Sequence, residues 1–514
     1  MHGGVPAHGW VGALARVLNV LYGVQGITPE GKGSSVAEHA ASSAQGGSAA
    51  TRREAVASGL LPIVRVADQP WRWTMAERQA HYGCPAVGVA AIKGGRIDWV
   101  DSFGVADRDD PRPVGPDTLY MVASCSKPVT AMIVLQQVER GHLDLDVDIN
   151  TYLRRWQVPV NEFTAEHPVT LRRALSHTAG LNINGWGAIR QGDPVPTEFD
   201  LLEGRPPSHL PAVVVDKAYD GVDRYSGAGF LLSQMALEDV LGRPFAELAD
   251  EFVFTPLGMT RTTYAQPLPE RYRTDVASGH GDDGAPMPGG WMIASEMAAG
   301  GLFSTPRDYA TFLLAARSAY HGERGAILGH SLAREMMSRE ARGVFGLGFR
   351  VLGNGSTIRI NHGGSSDGYQ SETNLFLESG DGGVVLTNAT SGLFLYREVH
   401  NALADVYGWP DFMPEPKHLH QMTREEMERL TGDFRILAGI ELPRIKVWIE
   451  DGRLLSQIPG LRFGVQEVFC DVNGVLFNQT GPFESHVTYG PDGRAVSLEV
   501  REGGVPMIRA EREG

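Results

Sequence analysis

The sequence predicts an α+β protein in which helical layers cover an antiparallel sheet, followed by a small all-β, barrel-like C-terminal domain. Strand-like runs occur near residue 90 and again near residues 358 and 383, with mostly helical patterns between them. This order is expected when one sheet collects both ends of a layered domain. After residue 420, Asn-Gly and Asp-Gly pairs recur between alternating runs, which is typical of an antiparallel meander. At 514 residues the chain exceeds one ordinary domain, so several units are expected.

The first part of the chain shows few signs of a packed core. Residues 31–60 are rich in Gly, Ala and Ser, so we interpret residues 1–69 as a flexible, low-complexity leader. Residues 10–24 place apolar side chains at helical spacing but lack a basic n-region and a clear cleavage site. We therefore prefer a short amphipathic helix to a secretion signal there. A cytoplasmic location is expected, with secretion left open.

Residues 70–415 are assigned to a first globular domain. A helical stretch is followed by two β-rich runs around Gly94-Gly95, which indicates a hairpin. Helical patterns then dominate to about residue 345, before strands return at "STIRINHGG" and "GGVVLTN". Strands at both ends with helices between them predict the α+β layer.

Residues 423–514 are assigned to the second domain. Its predicted hairpin turns are Asp451-Gly452, Asn473-Gly474 and Asp492-Gly493, pairs that tolerate the positive φ angles of tight turns. The stretch 408–422 contains three prolines and is the predicted linker.

Charge and composition exclude several classes of partner. The formal net charge is −15, with 46 Lys+Arg against 61 Asp+Glu, which disfavours nucleic acid and anionic membranes. No run of 18 apolar residues predicts a membrane span. The three cysteines are widely separated, and no metal site or cofactor is expected. The expected partner is a small-molecule substrate, and a homo-oligomer stays open.

The stretch "MVASCSKPVTAM" (121–132) contains the candidate nucleophile. Because the first turn of a helix tolerates proline, Pro128 predicts that a helix starts near Ser124. Free amides at that end can meet an oxyanion. Lys127 lies one turn later on the same face as Ser124. A neutral lysine amine could accept the serine proton there.

Two further motifs follow this pair: Tyr225 in "RYSG" and His362 in "NHGG". Together with Ser124-x-x-Lys127, they resemble serine β-lactamase-like proteins in order and approximate spacing. The resemblance covers about residues 75–415 and is most similar to class C β-lactamase and to esterases and D-peptidases related to penicillin-binding proteins. It implies a β-lactamase/transpeptidase-like fold. The terminal meander resembles the lipocalin-like barrel that often follows this domain.

The resemblance also implies catalytic roles. Ser124 would attack a carbonyl and form an acyl-enzyme, and Lys127 would accept or relay the hydroxyl proton. Tyr225 would pass a proton to the leaving group and later activate water. His362 stands where relatives often have lysine, and would orient Tyr225 or bind the substrate. It would replace a permanent charge with a titratable one, whose pKa before perturbation is about 6.5.

Backbone positions complete the implied site. The amides of Ser124 and Ser365 would form the oxyanion hole, and Gly363 and Gly364 would let the substrate approach an edge strand. Gly227 is the third implied substrate-binding glycine. It departs from the family pattern, because β-lactamases have an asparagine there, and the change weakens the case for β-lactam specificity.

Three functions stay open from the sequence. The leading one is a serine hydrolase, an esterase or D-peptidase-like amidase, acting through a Ser124 acyl-enzyme. The second is an acyltransferase, transesterase or thioesterase-like enzyme with the same residues, in which an amine or alcohol intercepts the acyl group. The third is a non-catalytic binding protein. His177 is interpreted as a buried structural histidine, and Cys125 as a small packed residue.

Overall fold

The computed structural model describes residues 46–67, 69–281, 284–340, 342–439, 442–459 and 464–513. The amphipathic helix predicted at 10–24 lies outside these residues. The chain divides into two units. The large unit contains the described residues up to Ser58 together with Thr74–Asp411. The C-terminal unit contains Gly59–Trp73 and the chain from Phe412 onward.

The large unit is built around an antiparallel sheet. The strands of the large unit are β1 (Ala86–Lys93), β2 (Arg96–Gly104), β3 (Tyr120–Met121), β4 (Phe303–Ser304), β5 (Arg350–Leu352), β6 (Arg359–Ser366), β7 (Tyr369–Phe376) and β8 (Gly382–Thr387). The main sheet has the order β2-β1-β8-β7-β6-β5, and β3 pairs separately with β4. Every pair in both sheets is antiparallel.

One sheet collects both ends of the large unit, as the sequence predicted. Val87 on β1 pairs with Thr387 on β8. Gly94 and Gly95 turn the β1–β2 hairpin with φ angles of +55° and +75°, which glycine adopts without steric cost. All residues of β1 except Lys93 are buried, because helices cover both faces of the sheet at this strand and neighbouring strands pair with both of its edges.

Helices form the remaining layers. In chain order they are α1 (Ala49–Ser58), α2 (Met75–Tyr82), α3 (Ser126–Glu139), α4 (Glu162–Glu166), α5 (Leu171–Leu175), α6 (Glu198–Glu203), α7 (Ala228–Leu241), α8 (Phe245–Ala249), α9 (Thr255–Leu257), α10 (Met297–Gly300), α11 (Pro306–Tyr320), α12 (His330–Met336), α13 (Gly392–Tyr407) and, in the C-terminal unit, α14 (Arg424–Leu430). Almost every residue of α3 and the first ten of α7 are buried. A helix that is apolar all round belongs in the interior, and α3 carries Lys127 into that interior.

Helix α1 corrects part of the prediction that residues 1–69 form a flexible leader. The Ala-rich composition that suggested a linker also favours helix. Arg52 donates from Nε to Asp98 on β2 at 2.7 Å and is only 7% exposed. This nearly buried ion pair fixes α1 to the large unit.

The C-terminal unit is a ten-stranded antiparallel meander. Its strands are β9 (Leu419–His420), β10 (Gly432–Ala438), β11 (Arg444–Glu450), β12 (Arg453–Gln457), β13 (Gln466–Glu467), β14 (Phe469–Asp471), β15 (Leu476–Phe477), β16 (Phe483–Tyr489), β17 (Ala495–Glu502) and β18 (Val505–Arg512). The order is β13-β12-β11-β10-β18-β17-β16-β15-β14-β9. Only Val468 separates β13 from β14, so one chain segment pairs with β12 on one side and β15 on the other. The sheet therefore curls back on itself, which confirms an all-β terminal domain.

The boundary between the units differs from the predicted one. Val66 pairs with Lys417, and Val64 and Val66 pack against Phe477. Residues 59–73 therefore belong to the C-terminal unit, although the sequence placed them in the leader and at the start of the first domain. Part of the predicted linker 408–422 is strand β9, which pairs with β14.

Within the residues that the structure describes, no helix has both the length and the apolar character needed to cross a membrane.

Candidate active site

The candidate nucleophile lies in a tight turn before α3. Residues Ala123–Cys125 form one 3-10 turn, and Ala123 has a φ of +47°, an uncommon conformation for a residue with a Cβ atom. Ser126 Oγ donates to the Ala123 carbonyl at 2.6 Å and accepts the Leu302 amide at 3.0 Å. The α-helix begins two residues later than predicted, because this turn holds Ser124 half-buried ahead of it.

Lys127 contacts Ser124 as the spacing predicted. It is 2% exposed, and Nζ donates to Ser124 Oγ at 3.1 Å and to the Ala299 carbonyl at 2.7 Å. The ammonium also lies 4.9 Å from the centroid of the Tyr225 ring and 5.5 Å from that of Phe230. These contacts place a buried amine against the serine hydroxyl and over the ring of the tyrosine.

Tyr225 stacks on a buried histidine. Its ring lies 4.3 Å from that of His177 and 5.7 Å from that of Phe345. The Ser226 amide donates to His177 Nδ1 at 3.0 Å, so the neutral imidazole carries its proton on Nε2. Burial, reinforced by the charge of Lys127, lowers the pKa of His177 well below 6.5. His177 therefore packs against the tyrosine ring as a neutral side chain, as expected of a structural histidine.

His362 reaches the same cluster but differs from its predicted electrostatic role. Its ring lies 6.4 Å from that of Tyr225, and Nδ1 donates to the Gly363 carbonyl at 2.7 Å. Burial, with the charges of Arg350 and Lys127, lowers the pKa of His362 well below 6.5. The titration of His362 therefore lies below the range of an unperturbed histidine, because a buried site beside two positive charges disfavours a further charge. With Nδ1 as donor, Nε2 is left as a hydrogen-bond acceptor.

Strand β6 packs directly on the serine turn. A Cβ atom at Gly364 would lie 2.1 Å from the Val122 carbonyl oxygen and 2.3 Å from Ser371 Oγ, so only glycine fits there. Within the described chain, β5 pairs with β6 only over Arg359–Asn361. Among the residues that the structure describes, no strand pairs with the rest of that edge, which includes Gly363 and Ser365.

Gly227 packs against a neighbouring backbone segment. Its amide donates to the Asn184 carbonyl at 2.6 Å, and a Cβ atom would lie 2.8 Å from that oxygen. The backbone at 184–185 therefore fills the space that a longer side chain at 227 would need. An asparagine at position 227, as in the β-lactamase pattern, would therefore clash with this backbone.

Cys125 lies in the serine turn but faces away from the open side. It is fully buried, and Sγ is 3.3 Å from Ser371 Oγ. Burial raises the pKa of its thiol to about 12, so the thiolate needed for nucleophilic attack is disfavoured. The described residues also hold no group of three or more His, Cys, Asp or Glu arranged as metal ligands.

Two charged residues of this region were missed from the sequence. Arg350 on β5 lies over the Phe345 ring at 5.4 Å and acts electrostatically on both buried histidines. Glu296 precedes α10 and is 8% exposed. The available signal was a single carboxylate within the apolar, small-residue run "MIASEMAAGG", because such a group is rarely buried without a partner.

Comparison with known proteins extends these observations. The sequence profile of the family described as Beta-lactamase matches residues 71–407. "Esterase EstB" of Burkholderia gladioli is 32% identical over 234 residues, covering 42% of this chain and 59% of that protein. "Penicillin-binding protein 4*" of Bacillus subtilis is 28% identical, covering 34% of this chain and 37% of its own. The chain thus spans less than two thirds of the curated relatives it matches.

Solved structures share the fold. The octameric penicillin-binding protein homologue from Pyrococcus abyssi aligns with a TM-score of 0.56 at 20% identity, covering 85% of this chain and 98% of that one. The D-amino acid amidase from Ochrobactrum anthropi SV3, complexed with D-phenylalanine, aligns with a TM-score of 0.52 at 24% identity. That alignment covers 65% of this chain and 96% of the amidase.

Proposed function

The chain belongs to the beta-lactamase family, and from this premise we propose that it is a serine acyl hydrolase, an esterase or D-peptidase-like amidase, that works through a Ser124 acyl-enzyme. The observation that carries the proposal is the contact of 3.1 Å between Lys127 Nζ and Ser124 Oγ. A buried amine touching a half-exposed hydroxyl is the arrangement that activates a serine without a histidine base.

Acylation starts when Lys127 is neutral. Ser124 Oγ attacks the substrate carbonyl carbon, and the hydroxyl proton moves to Nζ. The carbonyl oxygen becomes an oxyanion, which the amides of Ser124 and Ser365 stabilise. The close packing of β6 on Val122 supports this pairing, because it brings the open strand edge to the serine turn.

Tyr225 completes the proton path. Its ring centroid lies 4.9 Å from Lys127 Nζ. In the proposed path, the proton that Lys127 accepts reaches the leaving alcohol or amine through the phenol as the bond from the carbonyl carbon breaks. A water molecule then attacks the acyl-enzyme, gives one proton back along the same path, and releases the acid and free Ser124. His362 Nε2, an acceptor, orients the phenol or the substrate.

We propose that the site prefers esters to β-lactams. The backbone at 184–185 fills the space beside Gly227, so the site has no side-chain amide at this position to hold the acyl-side amide of a β-lactam. Short acyl esters are therefore the preferred substrates, and cephalosporins are poor ones. The esterase among the relatives supports this preference.

The test is intact-mass spectrometry combined with turnover. The protein is incubated with short acyl esters, acyl thioesters and penicillins, with and without an added amine or alcohol. We expect the mass of one acyl group on the wild type with esters, and release of free acid. Acyl groups that appear on the added amine or alcohol would instead identify an acyltransferase.

Two variants assign the adduct. Ser124→Ala should lower ester turnover by about a thousandfold or more and remove the adduct. Cys125→Ala changes the neighbouring buried side chain of the same turn. This control variant should retain both ester turnover and the acyl adduct. Turnover that survives in Ser124→Ala, or a β-lactam rate equal to the ester rate, would overturn the proposal.

A further inference from the structure

Tyr225 is held in the site by contacts of its ring. Among the residues that the structure describes, no hydrogen bond reaches its hydroxyl group. The ring lies 4.3 Å from that of His177, 5.7 Å from that of Phe345 and 6.4 Å from that of His362, measured between centroids. The direction in which the hydroxyl points therefore depends on how these side chains pack around the phenol.

Phe345 contacts every other ring of this cluster. It meets His177 edge-on at 4.5 Å and lies 6.2 Å from His362, in addition to its contact with Tyr225. Phe345 is 3% exposed, whereas Tyr225 is only partly buried. Phe345 is thus too deep to touch a substrate, and it acts on the reaction only through the side chains that it supports.

The segment 342–345, which carries this ring, docks on the segment 220–225, which ends at the tyrosine. The Val344 amide donates to Oδ2 of Asp223 at 3.1 Å, and a backbone hydrogen bond of 2.8 Å joins the two segments nearer their starts. A Cβ atom at Gly343 would lie 2.6 Å from the carboxyl carbon of Asp223. Asp223, two residues before the tyrosine, is therefore the side chain on which the segment rests.

The same segment is also tied to the main sheet. The Val351 amide on β5 donates to the Val344 carbonyl at 2.8 Å, and Phe345 forms an antiparallel bridge with Arg350. Strand β5 pairs with β6, and β6 packs on the turn that contains the nucleophile. The phenylalanine ring thus relates the position of Tyr225 to that of the nucleophile.

We propose that Phe345 is a positioning residue that directs the Tyr225 hydroxyl toward the leaving group, and that Asp223 holds the segment carrying it. The inference rests on the proposed function, because it takes Tyr225 as the proton donor. Loss of the Phe345 ring would free the phenol to turn, whereas the contact of 3.1 Å between Lys127 Nζ and Ser124 Oγ would remain. Protonation of the leaving group should then slow, and attack by Ser124 should not.

Two acetate esters of similar size separate these steps. Benzyl acetate releases an alkoxide, whose oxygen needs a proton as its bond to the carbonyl carbon breaks. The para-nitrophenyl ester releases a stable phenolate and needs none. The readout is the ratio of the two kcat/KM values, because kcat/KM reports the steps up to formation of the acyl-enzyme. Fluorophosphonate labelling of Ser124 shows independently that the nucleophile is active, and circular dichroism checks folding.

The variant Tyr225→Phe sets the scale, because it removes the hydroxyl and keeps the ring. In Phe345→Leu we expect kcat/KM for benzyl acetate to fall about tenfold, which is part of the roughly 10²–10⁴-fold that a well-placed general acid contributes. With the nitrophenyl ester, kcat/KM should change by about twofold or less, because Ser124 is still activated.

Phe349→Leu is the matched control. Phe349 lies four residues further along the chain, is fully buried and stacks on Phe312 at 6.1 Å. The same loss of a ring there should lower stability in a similar way but leave the ester ratio at the wild-type value.

Two variants of Asp223 test the support of the segment without changing the core, because this side chain is partly exposed. Asp223→Ala removes the acceptor of the Val344 amide and should shift the ratio in the same direction by about threefold, in line with one modest hydrogen bond. Asp223→Asn keeps an oxygen for that amide and should restore the wild-type ratio.

The outcomes are separable. No ester turnover and no labelling of Ser124 in the wild type would overturn the proposed function. A wild-type ratio in Tyr225→Phe would overturn the assigned proton path, and the role of Phe345 with it. Turnover with the same ratio in wild type and Phe345→Leu, or an equal shift in Phe349→Leu, would overturn only the role of Phe345. If Phe345→Leu does not fold, the Asp223 variants decide: a wild-type ratio in Asp223→Ala would overturn the proposal.

Discussion

The candidate active site of the large unit and the hairpins of the C-terminal unit are built in opposite ways. The site joins groups from distant parts of the chain: Lys127 contacts the carbonyl of Ala299, and Gly364 packs on Val122. In the C-terminal unit, strands pair mostly with neighbours in sequence, as β11 with β12 and β16 with β17. The difference indicates where a substitution destabilises the protein most. Groups packed together from distant parts of the chain leave no space for an added atom, whereas a surface turn does.

Two glycines make this contrast measurable. Gly364 is required for close approach, since a Cβ atom there would clash with backbone and with Ser371. Gly474, in the β14–β15 turn, has a φ of +78° and no atom within 4 Å of a built Cβ. The first position is limited by packing and the second only by backbone conformation.

The largest expected effect is that of Gly364→Ala. The new methyl group must push β6 away from the Ser124 turn, so we expect loss of fluorophosphonate labelling and about 3 kcal/mol of destabilisation or more. Urea unfolding and labelling kinetics measure the two effects. Labelling of Gly364→Ala at the wild-type rate would show that β6 is free to move relative to the turn. The site would then tolerate substitution as well as the C-terminal turns do.

An intermediate effect is expected from acid. The folded-state pKa of His362 lies well below 6.5, whereas the unfolded chain binds a proton near 6.5. Stability from this group is therefore complete above pH 6.5 and is lost as pH falls below it. The cost is about 1.4 kcal/mol per pH unit.

The variant His362→Asn separates the contribution of His362 to the pH dependence of stability from that of the other titrating groups. The asparagine amide can still donate to the Gly363 carbonyl but does not titrate, so its unfolding free energy should fall less steeply below pH 6.5 than that of the wild type. The C-terminal unit offers a matched control in His486→Asn, since His486 is partly exposed. Parallel curves for wild type and His362→Asn would mean that His362 is protonated in the folded protein.

The smallest expected effect is that of Gly474→Ala. The turn requires a positive φ, so the substitution should cost about 1 kcal/mol, with Ser124 labelling unchanged. Thermal unfolding of the full chain measures it. A loss as large as that of Gly364→Ala would indicate that the C-terminal hairpins are as constrained as the active site.

Local signals predicted much of the architecture. The Gly-Gly pair located the β1–β2 hairpin, and Asp-Gly or Asn-Gly pairs located three turns of the C-terminal unit, because turn geometry depends on adjacent residues. The spacing of Ser124 and Lys127 predicted their contact, since three residues make one helical turn. Strand β7 was missed, because "YQSETNLF" is too polar to suggest a strand, yet seven of its eight residues are buried.

Electrostatic properties were not predictable in the same way. The lowered pKa of His362 depends on burial beside Arg350, on the neighbouring strand, and Lys127, which is distant in sequence. The burial of Glu296 likewise depends on the fold, which brings its carboxylate to the Trp186 amide. The pairing of Val66 with Lys417 likewise depends on a strand partner about 350 residues away, so the unit boundary could not be found from composition.

The pairing of Val87 with Thr387 has a consequence for synthesis on the ribosome. At roughly 5–20 residues per second, tens of seconds separate the emergence of β1 from that of β8. During that interval the apolar strand β1 has no partner on one edge, and Ser124 and Lys127 are present without β6. A nascent chain therefore carries its nucleophile long before it can use it, and that early segment is where we expect chaperones to bind.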